Sequence, residues 1–199
     1  VAVDFYRHSL GEDEKSAVAS VLDSLFLTTG KRVYEFEEAF QRTLDVPAVV
    51  ATVHCTASLH LAMLLAEIGP GDEVITSPIT WPATANVVVH CGARPVFVDV
   101  RHSDLNIDPD AAAAAVTERT KAVLPVHLAG QPADLDPLLA LGPPVIEDAA
   151  EAIGSQWRGR RAGSMGAFGT FSFHGTKTVT TGEGGMFVTS DEALYQRVL

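Results

Sequence analysis

The chain has 199 residues, of which 47% are hydrophobic and 20% are charged, a composition typical of a globular protein with at least one full core. Its 25 acidic and 14 basic residues give a net charge of −11, which repels phosphate backbones, so no nucleic acid is expected as a partner. No apolar run is long enough to span a bilayer, the N-terminus has no signal-peptide pattern, and only two cysteines occur, Cys55 and Cys91, so we expect a cytoplasmic protein with reduced thiols and no membrane partner.

Two amphipathic helices are predicted before the pattern changes. Ser9-Leu10-Gly11-Glu12 has the spacing of a capping box and opens the first helix, which Gly30 ends. The second helix places Val33, Phe36 and Phe40 on one face. Strands then alternate with helices in the order strand 48–53, helix 56–68, strand 72–76, helix 81–92, strand 95–100, helix 108–116, strand 122–126, helix 135–141 and strand 145–146.

This alternation is typical of βαβ units, so we expect an α/β fold with a parallel sheet covered by helices on both faces. Beyond residue 154 the sequence predicts a hairpin-like turn at 158–161, strands at 167–173 and 185–189, and a helix that starts at 191. In such sheets, ligands bind beyond the carboxyl ends of the strands. That rule points to the turns that start at His54, Ser77, Asp99, His127 and Asp148.

Lys177 is the first candidate for catalysis. An apolar strand leads through His174-Gly175-Thr176 to this lysine, and nearby glycines allow a ligand to approach closely. Another buried strand, Val145-Ile146-Glu147-Asp148, ends in a carboxylate. An amine and an acid at strand ends suit an electron-sink cofactor, because the amine forms a Schiff base and the acid keeps a ring nitrogen protonated. The alternatives are a surface lysine and a carboxylate that caps a helix.

Three further side chains are candidates for holding the same ligand. Thr56 starts a helix among small residues, which favours an anion at the helix N-terminus unless Thr56 only caps its own helix. Trp81 lies in another strand-to-helix turn, where an indole either stacks on a planar ring or packs in the core. The hydroxyl of Ser172 either shares the pocket or faces solvent.

Three other positions have weaker signals. Glu151 follows Asp148 by three residues, so it either reaches the same ligand or complements a helix dipole. His127 either approaches a ligand or is a core histidine, and the role of His174 is undecided. No metal is expected, because the spacing of His54-Cys55 with His60 matches no standard zinc pattern.

Five segments in one order carry a family resemblance. They are Gly69-Pro70-Gly71-Asp72-Glu73-Val74-Ile75-Thr76, Pro95-Val96-Phe97-Val98-Asp99-Val100, Pro125-Val126-His127-Leu128-Ala129-Gly130-Gln131-Pro132-Ala133-Asp134, Ile146-Glu147-Asp148-Ala149-Ala150-Glu151-Ala152 and the run from Ser172 to Gly185. Together they resemble the DegT/StrS family of PLP-dependent sugar aminotransferases. The resemblance covers nearly the whole chain and is most specific around Asp148 and Lys177.

The resemblance implies a fold-type-I transferase. Its large domain has a mostly parallel seven-stranded sheet between helices, a smaller domain follows at the C-terminus, and two subunits form a homodimer with active sites at the interface. Residues 1–199 are then an N-terminal segment plus the large PLP-binding domain. The chain starts at Val1, and the helix begun at Asp191 stops at Leu199 without a C-terminal signal, so we expect a fragment that lacks the small domain.

The resemblance also assigns roles around pyridoxal 5′-phosphate (PLP). Lys177 is implied to be the Schiff-base lysine, and Asp148 is implied to pair with the pyridine nitrogen. Trp81 takes the position of the ring-stacking aromatic residue, and Glu151 takes a position near the cofactor's phenolic oxygen.

At the phosphate end, the resemblance implies a cup formed by Thr56 and Ala57 and completed by Ser172. The chain departs from the family pattern here, because Cys55 stands where the family usually has glycine. A second departure is Ala129, where the family often has an aromatic residue.

The function implied is transfer of an amino group from L-glutamate to a keto group of a nucleotide-activated deoxysugar. The expected partners are L-glutamate, a nucleotide-linked ketosugar and a second subunit, and a fragment without the small domain is expected to bind PLP poorly. Related dehydratases have histidine in place of Lys177, which favours transamination here. The alternatives are a cyclitol ketone as acceptor, a PLP-dependent sugar dehydratase, and a non-catalytic regulatory or interaction protein that keeps the fold.

Overall fold

Helices and strands alternate along most of the chain in the computed structural model, which describes residues 7–198. The helices are α1 (Glu12–Leu22), α2 (Lys31–Leu44), α3 (Cys55–Leu65), α4 (Ala83–His90), α5 (Pro109–Ala114), α6 (Leu135–Leu139) and α7 (Glu192–Gln196). The strands are β1 (Ala48–Thr52), β2 (Glu73–Thr76), β3 (Arg94–Phe97), β4 (Thr120–Leu124), β5 (Ile146–Asp148), β6 (Gln156–Trp157), β7 (Arg160–Arg161), β8 (Phe168–Ser172) and β9 (Gly185–Thr189). Among the described residues, no helix is both long and apolar enough to cross a membrane.

Seven strands lie side by side in the order β3-β2-β4-β5-β8-β9-β1. Continuous ladders join β3, β2 and β4 on one side and β5, β8, β9 and β1 on the other. Two parallel bridges, Val123 to Val145 and Val126 to Asp148, connect these groups. Because only β9 runs against the common direction within this sheet, the predicted mostly parallel seven-stranded sheet is confirmed.

Helices cover both faces of the sheet because side chains alternate along each strand. Val74 and Phe187 pack on the face covered by α3 and α4. Their chain neighbours Ile75 and Met186 point to the opposite face, which α2, α5 and α6 cover. The two cores therefore hold the sheet between helix layers and leave its carboxyl edge available for a site.

The first helix begins and ends elsewhere than the sequence predicts. Gly11 is its N-cap, and the Gly11 N–H donates to Glu14 Oε2 at 2.6 Å, so one half of a capping box forms two residues after Ser9. The helix ends at Leu22, and Gly30 instead caps the start of α2. No residue of α1 is buried, so tertiary packing does not extend this helix to the predicted end.

The second helix packs as its apolar pattern predicts. The rings of Phe36 and Phe173 meet edge to face with centroids 5.1 Å apart, and those of Phe40 and Phe171 with centroids 5.0 Å apart. These contacts hold the end of β8, directly before the turn that carries Lys177.

A buried carboxylate in β5 organises the return from β7 to β8. Glu147 accepts three backbone N–H hydrogen bonds from the loop 163–166, at 2.6–2.7 Å. Its Oε2 also lies 2.9 Å from His127 Nε2, while His127 Nδ1 accepts from the Ala133 N–H. Since Nδ1 is an acceptor, the Nε2 proton points at Glu147. His127 is therefore a fully buried core histidine, which decides between the two alternatives that the sequence leaves open.

Candidate active site

A cavity of about 380 Å³ opens at the carboxyl ends of β5 and β8, beside the N-terminus of α3. This is the edge of a parallel sheet at which ligands bind. Its lining residues are His54, Cys55, Thr56, Leu59, Trp81, Ala83, Thr84, Asp148, Ala150, Ser172, His174, Thr176, Lys177 and Glu183. Five of the seven residues that the resemblance assigns to the cofactor are among them, and the two that are not are Ala57 and Glu151.

Asp148 is the buried acid of the cavity, with 4% of its surface exposed. Its Oδ2 accepts from the Thr84 hydroxyl at 2.8 Å, and its Oδ1 accepts from the Ala150 N–H at 3.2 Å. Burial raises the pKa of Asp148 above its usual range, while these two hydrogen bonds and the charge of Lys177 act in the opposite direction. Ala150 and Glu151 lie in a turn and not in a helix, so Asp148 does not cap a helix. A cationic N–H group beside it would stabilise its charged form.

Lys177 reaches the same cavity from the turn after β8. Its backbone N–H closes this turn by donating to the His174 carbonyl at 2.9 Å. Its side chain is 23% exposed, and Nζ lies 3.0 Å from Glu151 Oε1, so it is not a surface lysine. Glu151 therefore touches the site through Lys177, and no helix dipole is present for it to complement because it lies in a turn.

The start of α3 forms another wall. His54, rather than Thr56, caps this helix, because its Nδ1 accepts from the Ala57 N–H at 3.0 Å. The Thr56 N–H has no hydrogen-bond partner among the described residues, and Ser172 lines the cavity from the end of β8. A helix N-terminus with a free N–H group favours an anion. Ala57 does not line the cavity, so its N–H faces the cap.

Trp81 stands at the cavity with 79% of its surface exposed. This exposure excludes the alternative in which the indole packs in the core. The Trp81 carbonyl accepts from the Thr84 N–H at 3.1 Å, so one turn positions both the indole and the hydroxyl that binds Asp148. An exposed indole on a cavity wall offers a face for stacking on a planar ring.

Several lining residues carry no role in the sequence analysis. His174 Nδ1 lies 3.1 Å from Thr176 Oγ1, and His174 Nε2 lies 3.7 Å from a carboxylate oxygen of Glu183. Burial raises the pKa of the Cys55 thiol, and the nearby carboxylate of Asp148 adds to this effect. Cys55 is therefore a neutral thiol at the cavity wall.

Thr84 is the main functional residue that sequence reasoning missed. Its hydrogen bond to Asp148 joins residues 64 positions apart, and no local pattern reports such a pair. The one usable signal is its place on the first turn of α4, where its Oγ1 also lies 2.9 Å from Thr80 Oγ1. Both threonines follow a strand end, as ligand-binding residues in parallel sheets commonly do.

The family model described as the DegT/DnrJ/EryC1/StrS aminotransferase family matches residues 8–199. The chain belongs to this family. The spore coat polysaccharide biosynthesis protein SpsC of Bacillus subtilis (strain 168) is 47% identical to it over 193 residues, which are 95% of this chain and 50% of SpsC. The chain thus spans about half the length of the curated relatives that it matches.

Solved structures of this aminotransferase family share the fold. The aminotransferase TlmJ from Streptoalloteichus hindustanus superposes with a TM-score of 0.95 at 40% identity, over 99% of this chain and 56% of TlmJ. The PLP form of Spr1654 from Streptococcus pneumoniae superposes with a TM-score of 0.93 at 32% identity, over 98% of this chain and 56% of Spr1654. The PMP form of the same protein also matches. The predicted fold class is therefore confirmed.

The residues of the cavity fit the cofactor that the DegT/StrS family implies. A buried acid without a cationic partner suits a protonated ring nitrogen, an amine shares its cavity, an indole presents a flat face, and a helix N-terminus offers a free N–H group to a phosphate. No cluster of three or more metal-ligating side chains occurs among residues 7–198. The acid, the amine, the indole and the helix N-terminus together fit an organic cofactor with one ring and one anionic end.

Proposed function

We propose that this chain is the PLP-binding part of an aminotransferase that moves an amino group from L-glutamate to a keto group of a nucleotide-activated deoxysugar. The observation that carries the proposal is the single cavity shared by Lys177 and Asp148 at the start of α3. Membership of an aminotransferase family supports it. A lysine and a buried acid in one cavity are the pair that this chemistry requires.

Six side chains would hold the cofactor. We assign Lys177 to its aldehyde carbon, Asp148 to its ring nitrogen, and the indole of Trp81 to its ring face. Thr56 and Ser172 would bind its phosphate. The Ala57 N–H would join them only if it breaks its hydrogen bond to His54 Nδ1. We place Glu151 near the phenolic oxygen, next to the Lys177 amine that it contacts at 3.0 Å.

The proposed amino transfer depends on the charge of Asp148 and on the proton that Lys177 moves. PLP, when bound, supplies a ring that accepts the electron pair left at the α-carbon of the amino donor. Asp148 keeps its charge by facing a cationic N–H, which offsets the cost of burial that raises its pKa. Lys177 Nζ, when free, would take the proton from the α-carbon of glutamate and deliver it to the cofactor carbon that keeps the amino group, as a general acid–base. 2-Oxoglutarate would leave before the keto acceptor enters, and Lys177 would then move the proton in the reverse direction as the amino group passes to the acceptor, which predicts ping-pong kinetics.

A sugar acceptor is favoured over the alternatives by the relatives. The name of SpsC assigns that protein to spore coat polysaccharide biosynthesis. On that basis we propose a sugar ketone as the acceptor substrate of this chain. The motif Asp148-Ala149-Ala150-Glu151, with glutamate at its last position, looks similar to that of perosamine-type enzymes, which suggests a 4-keto-6-deoxy sugar. A cyclitol ketone presents the same kind of reacting carbonyl and is the second candidate. The nucleotide and the carbon that is aminated stay open to a substrate panel.

We further propose a homodimer with shared active sites and a cytoplasmic location. Support for the dimer comes from large apolar side chains that stay exposed close in the chain to cavity residues, namely Val53, Ile79 and Val179. Exposed apolar area of this kind marks interaction surfaces. Sedimentation of the protein with and without PLP tests this part.

Spectroscopy tests the proposed activity. The protein loaded with PLP should be yellow, and adding L-glutamate should shift its absorption, while Lys177→Ala should show neither response. Borohydride reduction should attach the cofactor to the peptide that contains Lys177, which a dehydratase of this family would not do. A colourless full-length protein that does not respond to PLP or glutamate would support the non-catalytic alternative instead.

A further inference from the structure

The amine of Lys177 is directed at one carboxylate. Glu151 Oε1 lies 3.0 Å from Lys177 Nζ. Asp148 shares the cavity, but its two oxygens are bonded to Thr84 and Ala150 instead. The lysine therefore has a fixed partner on the side of the cavity where Glu151 lies, and the buried acid stays separate from it.

The second oxygen of Glu151 is also bound. The Ala129 N–H donates to Glu151 Oε2 at 3.0 Å, so the carboxylate is held at both oxygens. Ala129 has a left-handed backbone, with φ 52° and ψ 26°. A residue with a Cβ atom adopts this conformation only when its surroundings hold it there.

Two side chains outside the cavity hold this turn. Asn106 is 1% exposed; its Oδ1 accepts from the Leu128 N–H at 3.1 Å and its Nδ2 donates to the Gln131 carbonyl at 3.0 Å. The Ser155 hydroxyl donates to the Gly130 carbonyl at 2.6 Å. Both sides of Ala129 are therefore tied to other parts of the chain, and its N–H points at Glu151.

We infer that Glu151 is a positioning residue that keeps the Lys177 side chain aimed into the cavity whenever its nitrogen is free, and that Asn106 and Ser155 act through it. This inference rests on the proposed function, in which Lys177 Nζ must be free while it moves a proton. A long lysine side chain has many rotamers, and a fixed carboxylate selects those that face the reacting carbon.

Chemical labelling of the cofactor-free protein tests the ion pair directly. Acetic anhydride acylates accessible amines, and mass analysis of the Lys177 peptide measures the yield. Glu151→Gln should raise the acylation rate of Lys177 about threefold, the size expected for losing a partly exposed ion pair. Glu118→Gln removes an exposed carboxylate that has no side-chain partner among the described residues and should behave as the unchanged protein does.

A double-mutant cycle tests the second half of the inference. Ser155→Ala and Asn106→Ala should each raise the labelling of Lys177, and neither should add to the effect of Glu151→Gln. Ser155 is only partly buried, so its variant stays informative if the Asn106 variant does not fold. In the PLP-loaded protein, Glu151→Gln should lower kcat with glutamate while KM changes little.

The outcomes separate this inference from the proposed function. Unchanged labelling of Lys177 in Glu151→Gln, or fully additive effects of Ser155→Ala, would overturn the inference even in a protein that transaminates. Raised labelling of Lys177 in a full-length protein that neither binds PLP nor responds to glutamate would support the ion pair and refute the proposed function.

Discussion

At the residue scale, the cavity keeps an acid and an amine apart. Lys177 pairs with Glu151, whereas Asp148 is bound by a hydroxyl and a backbone N–H. Had the two opposite charges paired with each other, neither would be available to opposite ends of a ring. Thr84 is important here, because its hydroxyl lowers the cost of an acid whose pKa burial raises.

Asp148→Asn should separate stability from activity. The amide removes a carboxyl group that burial disfavours in its charged form, so at neutral pH the cofactor-free variant should unfold at a temperature equal to or above that of the parent protein. The same change removes the anionic partner of the ring nitrogen, and the rate of the glutamate half-reaction should fall about a hundredfold, the size typical of losing one preorganised electrostatic group.

Thermal unfolding and stopped-flow absorbance measure the two effects. Asp45→Asn, a change of the same kind at an exposed residue, is the control and should alter neither. A variant at Asp148 that reacts as fast as the parent protein would remove this acid from the proposed chemistry.

The sequence predicts individual site residues better than their partners. Lys177, Asp148 and Trp81 stand out because each follows a strand end, and the structure brings all three to one cavity. The alternative in which Thr56 caps α3 is wrong, because the Nδ1 of His54 accepts the cap hydrogen bond in place of the usual hydroxyl. Thr84 was missed because its partner is 64 residues away.

At the element scale, long-range hydrogen bonds decide what local patterns leave open. The turn after Asp148 is not a helix, because the Ala149 N–H donates to the Thr170 carbonyl at 2.9 Å and continues the pairing with β8. The strand positions were predictable, since β-branched runs bounded by turn residues identify them. The path from β7 to β8 was not, because it depends on Glu147 and its bonds to a loop 16 to 19 residues away.

Glu147→Gln should destabilise the fold strongly. One carboxylate oxygen becomes an NH₂ group that faces N–H donors, and the fully buried network around it loses its charge. We expect the free energy of unfolding to fall by about 3 kcal/mol, as for other broken buried networks. Urea denaturation followed by circular dichroism measures this loss.

Glu38→Gln is the matched control for that change. Glu38 is exposed and lies 3.8 Å from Arg42 on the same helix, so its loss should cost less than about 0.5 kcal/mol. Equal stabilities of the Glu38 and Glu147 variants would mean that the loop 163–166 is held by packing and not by the carboxylate.

At the scale of the whole molecule, a third buried acid joins three strands at the edge of the sheet opposite the cavity. Glu73 at the start of β2 is 2% exposed. Its Oε1 accepts from Arg94 of β3 at 2.6 Å and from Arg119, just before β4, at 2.7 Å, and its Oε2 accepts from the Thr117 hydroxyl at 2.9 Å. The charged groups at the amino edge of the sheet therefore hold strands together. Those at the carboxyl edge, Asp148 and Lys177, line the cavity and are available for chemistry.

This arrangement predicts how stability depends on pH. Hydrogen bonds from Arg94 first, then from Arg119 and Thr117, lower the pKa of Glu73 from 4.5 to about 2. The unfolded chain then binds a proton at Glu73 before the folded chain does, so the contribution of this group is complete above pH 4.5 and is lost as pH falls toward about 2. In Glu73→Gln the contribution is absent at every pH, so the variant should be less stable than the parent protein at pH 7, and the difference should shrink between pH 4.5 and pH 2.

Urea denaturation of both proteins at several pH values across this window measures the difference. Glu118→Gln, an exposed change in the same loop as Thr117, should give a constant difference close to zero. A Glu73→Gln difference that stays the same from neutral to acidic pH would show that the two arginines stabilise the sheet edge without the charge of Glu73. In that case the pairing of β2 with β3 and β4 would depend on the backbone ladder and the apolar core alone.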